Sequence, residues 1–188
     1  MSVTLYLAIP CYNEETVLPE TARRLREKFT ALRAAGTIGP MSRICFIDDG
    51  SKDATWQLIS DLHARDPAFS GIRLSRNRGH QNALLCGLMT LRNRADCVIS
   101  MDADLQDSPD EIPELYRMVT EEGYDLVSGW KKRRFDPVGK TLPSKFFNGT
   151  ARLASGIKLH DFNCGLKAYR KEVVKHIEVY GEMHRYIP

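Results

Sequence analysis

Four short apolar runs, each closed by a polar loop and followed by apolar residues at helical spacing, constrain this chain more than any other feature. The runs are Val3–Ile9, Arg43–Ile47, Gly71–Leu74 and Cys97–Ser100. The first is nearly continuous and stops at Pro10, the pattern of a central parallel strand covered on both faces. After it, a helix over Thr16–Ala35 would place Leu18, Ala22, Leu25, Phe29 and Leu32 on one stripe and stop at Gly36. A second helix, capped by Asp53, carries Trp56, Ile59 and Leu62 inward, and a third runs from the Arg76–Gln81 loop through Arg92. Strand, loop and helix repeated in this way predict an α/β fold with a mostly parallel sheet and helices on both faces.

In such sheets ligands bind beyond the carboxyl ends of the strands. Pro10–Glu14, Asp48–Ser51, Arg76–Gln81 and Asp102–Gln106 all fall at those ends, so polar residues far apart in sequence are expected to converge on one crevice. Ser108-Pro109-Asp110-Glu111 starts a further helix with a cap, a first-position proline and favourable charge. A fifth strand is expected over Asp125–Ser128. Beyond it come a basic loop, Gly129–Pro137, a helix over Leu142–Ala154, a late strand over Cys164–Tyr169 and a helix over Lys171–Val179.

Composition sets outer bounds. With 188 residues, 43% hydrophobic and 27% charged, the chain has the makeup of a soluble globular domain. A net charge of +3 is too small to argue for a nucleic-acid partner. The five cysteines include no C-x-x-C pair and lie mostly in apolar surroundings, which predicts reduced core thiols in a cytosolic setting. No signal peptide opens the sequence, and no apolar run approaches the roughly 18–20 residues that span a bilayer.

Asp102 and Asp104, separated by a small alanine at the end of a buried strand, can both approach one hard cation, and Gln106 adds an oxygen at the same two-residue step. Mg2+ or Mn2+ suits such a set, since either is held by one or two carboxylates and keeps positions for substrate phosphates and water. Taken alone, two aspartates at a strand end are more often a helix cap or a solvated turn. The other loops add to them: Tyr12 offers a ring that can stack on a nucleobase, and Asp49 a carboxylate that can accept from a base N–H. Neither G-x-x-x-x-G-K-[ST] nor G-x-G-x-x-G follows the first strand, so a P-loop and a dinucleotide fold are both excluded. A nucleotide held by carboxylates and a metal points to a nucleotide-sugar enzyme.

The ordered set Ile9-Pro10-Cys11-Tyr12-Asn13-Glu14, Asp48-Asp49-Gly50-Ser51, Arg76-Asn77-Arg78-Gly79-His80-Gln81 and Asp102-Ala103-Asp104-Leu105-Gln106 resembles the family-2 glycosyltransferases of GT-A-type fold. His160–Arg170 and Gly181–Arg185 make it most similar to the polyprenyl-phosphate glycosyltransferases that act on dolichyl or undecaprenyl phosphate. The resemblance implies that Pro10, Tyr12 and Glu14 hold the nucleoside, that Ile47 and Asp49 lie at the base, and that Asp102 and Ala103 lie at the ribose and diphosphate. It assigns the metal to Asp102, Asp104 and Gln106, and it places Lys131 where many relatives carry a phosphate-binding arginine. It further implies a single catalytic domain over 1–188 with a basic acceptor-side segment at about 130–160. A membrane anchor would follow residue 188, the active site would lie at the cytoplasmic face of a membrane, and a homo-oligomer is among the arrangements it allows.

The implied reaction is an inverting displacement of a hexose, of UDP-glucose type, onto a polyprenyl phosphate. Relatives assign a base to the position of Asp161. A lipid phosphate, however, is largely ionised at neutral pH, its second pKa being roughly 6. Asp161 is therefore expected to position acceptor or sugar, while Lys131, Arg133, Arg134, Lys167 and Arg170 hold the two phosphate groups against their repulsion. Lys140, Lys145 and Arg152 around Phe146 and Phe147 suit either a core helix or one lying on an anionic lipid surface. The alternatives are a family member acting on a soluble sugar or polysaccharide, and a non-catalytic nucleotide-sugar binding module.

Overall fold

The computed structural model describes residues 3–129 and 164–177. Its six strands are β1 (Leu5–Cys11), β2 (Arg43–Asp48), β3 (Phe69–Arg73), β4 (Cys97–Ser100), β5 (Leu126–Ser128) and β6 (Lys167–Arg170). They form one sheet in the order β3-β2-β1-β4-β6-β5. The helices are α1 (Leu18–Ala34), α2 (Thr55–Arg65), α3 (His80–Leu91), α4 (Ile112–Thr120) and α5 (Lys171–His176), and a 3-10 turn at Pro109–Glu111 leads into α4. This is the expected mostly parallel α/β sheet. β1 pairs in parallel with β2 and β4, and β2 with β3, while β6 runs antiparallel to both β4 and β5.

Alternation along β1 sends side chains to two cores. Leu5, Leu7, Ile9 and Cys11 join Phe46, Leu25, Phe29, Ile112 and Leu115 on the face covered by α1 and α4. Ala8 joins Cys45, Ile47, Leu84, Leu88 and Val174 on the face covered by α3 and α5. A strand buried on both faces reads as a continuous apolar run, which is why β1, β2 and β4 are legible in the sequence.

Two differences from the sequence reading shape the site. Pro10 does not end β1; it sits within it, opposite Ile47. The carbonyl of Ala8 accepts from the amide of Met101 on the β4 side, so the nitrogen of Pro10, two residues on, also faces β4. The β1–β4 register closes at Ala8–Ser100, whereas β1–β2 continues to Cys11–Asp48. The missing N–H of Pro10 therefore falls where the neighbouring strand has already ended and costs no ladder bond. It also marks where β1 and β4 part. Because the chain goes outward from β1 to β3 and returns to β4 on the other side, that parting is the topological switch point.

The second difference concerns the strand expected over Cys164–Tyr169. It forms at Lys167–Arg170 and inserts antiparallel between β4 and β5. Among the described residues no helix is long and apolar enough to cross a membrane. No disulfide joins the five cysteines, four of which are buried.

Candidate active site

Three loops at the carboxyl ends of β1, β2 and β3 are bound into one frame before any ligand is considered. Asn13 adopts a left-handed φ of 55°, which asparagine tolerates better than most residues. Its amide donates to Ser51 Oγ at 2.9 Å, and its own Oδ1 accepts from the amide of Lys52 at 2.9 Å. The Glu14 amide donates to Thr55 Oγ1 at 2.8 Å, the Glu15 amide to Asp53 Oδ2 at 3.1 Å, and the Ala54 amide to Glu15 Oε2 at 2.8 Å. Asp53 also accepts from the Thr55 amide through Oδ1 at 3.0 Å, supplying the expected cap from one residue before the helix boundary. Above this lattice the Tyr12 ring is 38% exposed, open enough to receive a planar ligand.

The two aspartates at the end of β2 have separate tasks. Asp48 is fully buried; its Oδ1 accepts from the Ser51 amide at 3.0 Å, and Arg73 Nε lies 3.3 Å from its Oδ2. Asp49, at 2% exposure, accepts from the Arg78 amide through Oδ1 at 2.7 Å and from the Gly79 amide through Oδ2 at 2.8 Å. Asp49 thus pins the third loop, a task its sequence context does not announce. Each oxygen retains a second lone pair, which a base N–H can use. Arg76 and Arg78 stand exposed on this loop.

The acidic stretch leaves β4 under equally firm control. Ala103 is buried, and its carbonyl accepts from Thr21 Oγ1 on α1 at 2.7 Å. Leu105 takes a left-handed φ of 59°, and the Gln106 amide donates to Asp104 Oδ1 at 3.0 Å. Asp104 and Gln106 are exposed. The side chain of Asp102 is one-third exposed, with His80 Nε2, at the start of α3, 3.4 Å from its Oδ1. Burial and like charge act in the same direction at Glu14. Burial, then the carboxylates of Asp104 and Asp53, hold its carboxyl above the ordinary glutamate value.

Of the sequence-predicted residues, the structure brings Pro10, Tyr12, Glu14, Asp49, Asp102, Ala103, Asp104 and Gln106 to the strand ends that flank the switch point. Ile47 is different: its side chain is fully buried in the core under α3, so only its backbone can reach a ligand. Lys167 sits opposite Ser100 at the crevice end of β6 and is 7% exposed. Arg170 is a correction. It pairs with Cys97 at the far end of β4, about 10 Å further along the strand. Its Nη1 lies 3.2 Å from Asp125 Oδ1. Antiparallel insertion of β6 carries it away from the crevice, and a phosphate-holding role does not suit that position. Lys131, Arg133, Arg134 and Asp161 lie outside the described residues. Sequence reasoning missed Thr21 and Gly165 as contacts of the acidic stretch, because each lies far from it in sequence, Thr21 82 residues from Ala103, and neither has a local signal.

Comparison with known proteins bears on the family and the fold. A family model described as glycosyl transferase family 2 matches residues 6–178. The undecaprenyl-phosphate 4-deoxy-4-formamido-L-arabinose transferase of Shewanella sediminis is 38% identical over 183 residues, covering 97% of this chain and 53% of that protein. The dodecaprenyl-phosphate galacturonate synthase of Rhizobium johnstonii is 34% identical over 191 residues, covering 100% of this chain and 54% of that protein. The chain spans about half the length of these curated relatives. Among solved structures, the mannosyltransferase from Pyrobaculum calidifontis in complex with GDP-Man and Mn2+ aligns with a TM-score of 0.63 at 17% identity, over 96% of this chain and 48% of that one. Glucosyl-3-phosphoglycerate synthase from Mycobacterium tuberculosis, in complex with Mn2+, UDP and phosphoglyceric acid, aligns with a TM-score of 0.62 at 20% identity, over 91% and 57% respectively. These two share the fold of this chain.

Proposed function

The chain belongs to glycosyl transferase family 2, and from that premise we propose that it moves a sugar from a nucleoside diphosphate sugar to a polyprenyl phosphate at a membrane surface. The observation that carries this reading is the meeting of an exposed Tyr12, a loop-pinning Asp49 and the Asp102–Gln106 turn on either side of the β1–β4 parting. The lipid-phosphate acceptor is supported by the names of the curated relatives.

A divalent cation fits the residues present. The donor set is oxygen only, from two carboxylates and an amide, which suits Mg2+ or Mn2+. Burial first, then the neighbouring carboxylates of Asp104 and Asp53, hold the Glu14 carboxyl above its ordinary value, and a cation at Asp104 would offset the second of these. Such an ion is usually bound through one or two carboxylates and completed by substrate phosphates and water. Asp102, Asp104 and Gln106 would hold it, and its charge would stabilise the departing nucleoside diphosphate.

The remaining work falls to the chain. Tyr12 stacks on the base, and Asp49 accepts from a base N–H with the lone pairs its loop bonds leave over. The frame of backbone bonds around Asn13, Glu14 and Asp49 sets their separation in advance, so binding orders little further. Lys167 lies on the acceptor side, at the mouth beside β4. Because a lipid phosphate arrives ionised, the site has to orient it against the donor diphosphate more than it has to remove a proton. Asp161, Lys131, Arg133 and Arg134 are assigned to that task.

The test is calorimetric titration with UDP, GDP and their sugar conjugates, with and without Mn2+, followed by transfer to undecaprenyl phosphate in detergent. The reading expects metal-dependent binding, with UDP favoured, lost in Asp104→Ala. The glucose inferred from sequence is set beside galacturonate and formamido-arabinose, the sugars named in the relatives. Binding without transfer to lipid, but with transfer to a soluble sugar, would select the soluble-acceptor reading. Metal-independent binding unaffected by Asp104→Ala would sink the proposal.

A further inference from the structure

Asp102 ends a strand on a short side chain whose terminal torsion is broad, so nothing in its own rotamer preference fixes where its oxygens point. Among the described residues the fold supplies that control from two sides. His80 Nε2 stands 3.4 Å from Oδ1, long for a hydrogen bond but within electrostatic contact. On the other side a Cβ added to Gly165 would come within 2.3 Å of Oδ2 and 2.6 Å of Cγ, so the bare face of Gly165 is the wall against which the carboxylate rests.

Both walls are themselves anchored. The Gly165 carbonyl accepts from Ser100 Oγ at 2.8 Å, two residues before Asp102 on the same chain. The next residue, Leu166, accepts from the Gly129 amide at 2.9 Å, which ties the turn to the end of β5. His80 opens α3 directly after Gly79, whose amide is held by Asp49 Oδ2. One side of the grip therefore comes from the β2–α3 frame and the other from the residues that lead into antiparallel β6, and Asp102 is set between them.

We infer that His80 and Gly165 are positioning residues that fix the Asp102 carboxylate for the donor diphosphate and its metal. This rests on the reading of the crevice given above. Partners that orient a ligating carboxylate typically alter metal affinity about 10–100-fold when removed. Alanine at Gly165 must push the carboxylate aside, because the nearest atoms it meets belong to Asp102. Leucine at His80 removes the polar contact while keeping bulk. Glutamine there keeps an amide nitrogen near the place of Nε2.

The experiment has two arms. Ligand-free crystal structures of the wild type, His80→Leu and Gly165→Ala read the orientation of Asp102 with no donor involved; the carboxylate is expected to turn in both variants. Titration with UDP and Mn2+ is expected to show an affinity loss of roughly 10–100-fold in His80→Leu and Gly165→Ala. His80→Gln should stay within ~3-fold of wild type, the rescue that a purely steric role would not give. An unmoved Asp102 in both crystals, or equal losses for glutamine and leucine, overturns the assignment. Should Gly165→Ala fail to fold, the His80 pair still decides. Should the wild type bind no nucleoside diphosphate, the proposed function fails, and the orientation of Asp102 alone judges the grip.

Discussion

Gly50 and Gly36 share a φ of +69° but differ completely in surroundings, which makes them a matched pair for measuring how tightly two active-site loops are pressed together. A Cβ on Gly36, just beyond α1, would meet nothing within 4 Å. A Cβ on Gly50 would lie 2.5 Å from the carbonyl carbon of Arg76, 2.6 Å from its Cα and 2.7 Å from the nitrogen of Asn77. Ordinary carbon–carbon contact is about 3.5 Å, so the Arg76–Asn77 backbone must retreat by ~1 Å. Both alanine variants incur the left-handed cost of about 1–2 kcal/mol. Only Gly50→Ala adds an overpacking cost of about 1–3 kcal/mol, because its neighbours are backbone atoms that Asp49 holds in place two and three residues further on. For a chain of this size the difference corresponds to a melting-temperature gap of roughly 2–12 °C. Thermal unfolding followed by circular dichroism measures it directly. Titration with UDP should show weakened binding in Gly50→Ala and none of that loss in Gly36→Ala. Equal melting temperatures for the two variants would refute the claim that loop contact, rather than backbone conformation, makes glycine necessary at 50.

Glu14 gives a pH-dependent prediction. A carboxyl whose folded pKa lies above its ordinary 4.5 destabilises the fold when ionised, so the penalty is absent below that value, grows as pH rises through it, and is complete above the folded value. Glu14→Gln is therefore expected to raise the melting temperature at neutral pH and to give no gain at about pH 4, where the glutamate is mostly protonated in either state; a gain of equal size at both would show that charge is not the cause. Burial pushes the Cys97 thiol up to about 12 and that of Cys45 to about 11, and raises that of Cys11 as well. A thiol reagent at neutral pH should accordingly label Cys86, half-buried on α3, well before these three, and label them only on unfolding; a second native thiol reacting as fast as Cys86 would count against the packing described.

What the sequence by itself determined is whatever physics writes locally. The doubly buried strands appear as unbroken apolar runs, α1 as a 3.6-residue stripe ended by Gly36, and the crevice as four polar loops that must share one edge of a parallel sheet. Ser108 accepting from the Asp110 amide ahead of α4 was equally legible, because capping is a matter of neighbouring residues. Tertiary structure decided the rest. The direction of β6 cannot be read from its pattern, since alternation looks the same from either end, and that direction separates Lys167 at the mouth from Arg170 at the far edge beside Asp125. Pro10 belongs inside β1 only because β4 stops short beside it. The bonds from Asp49 to the Arg78 and Gly79 amides, from Thr21 to Ala103, and the contacts of His80 and Gly165 with Asp102 join residues 22 to 82 positions apart. Such pairings depend on how the elements pack, and packing is a property of the whole chain rather than of any window along it.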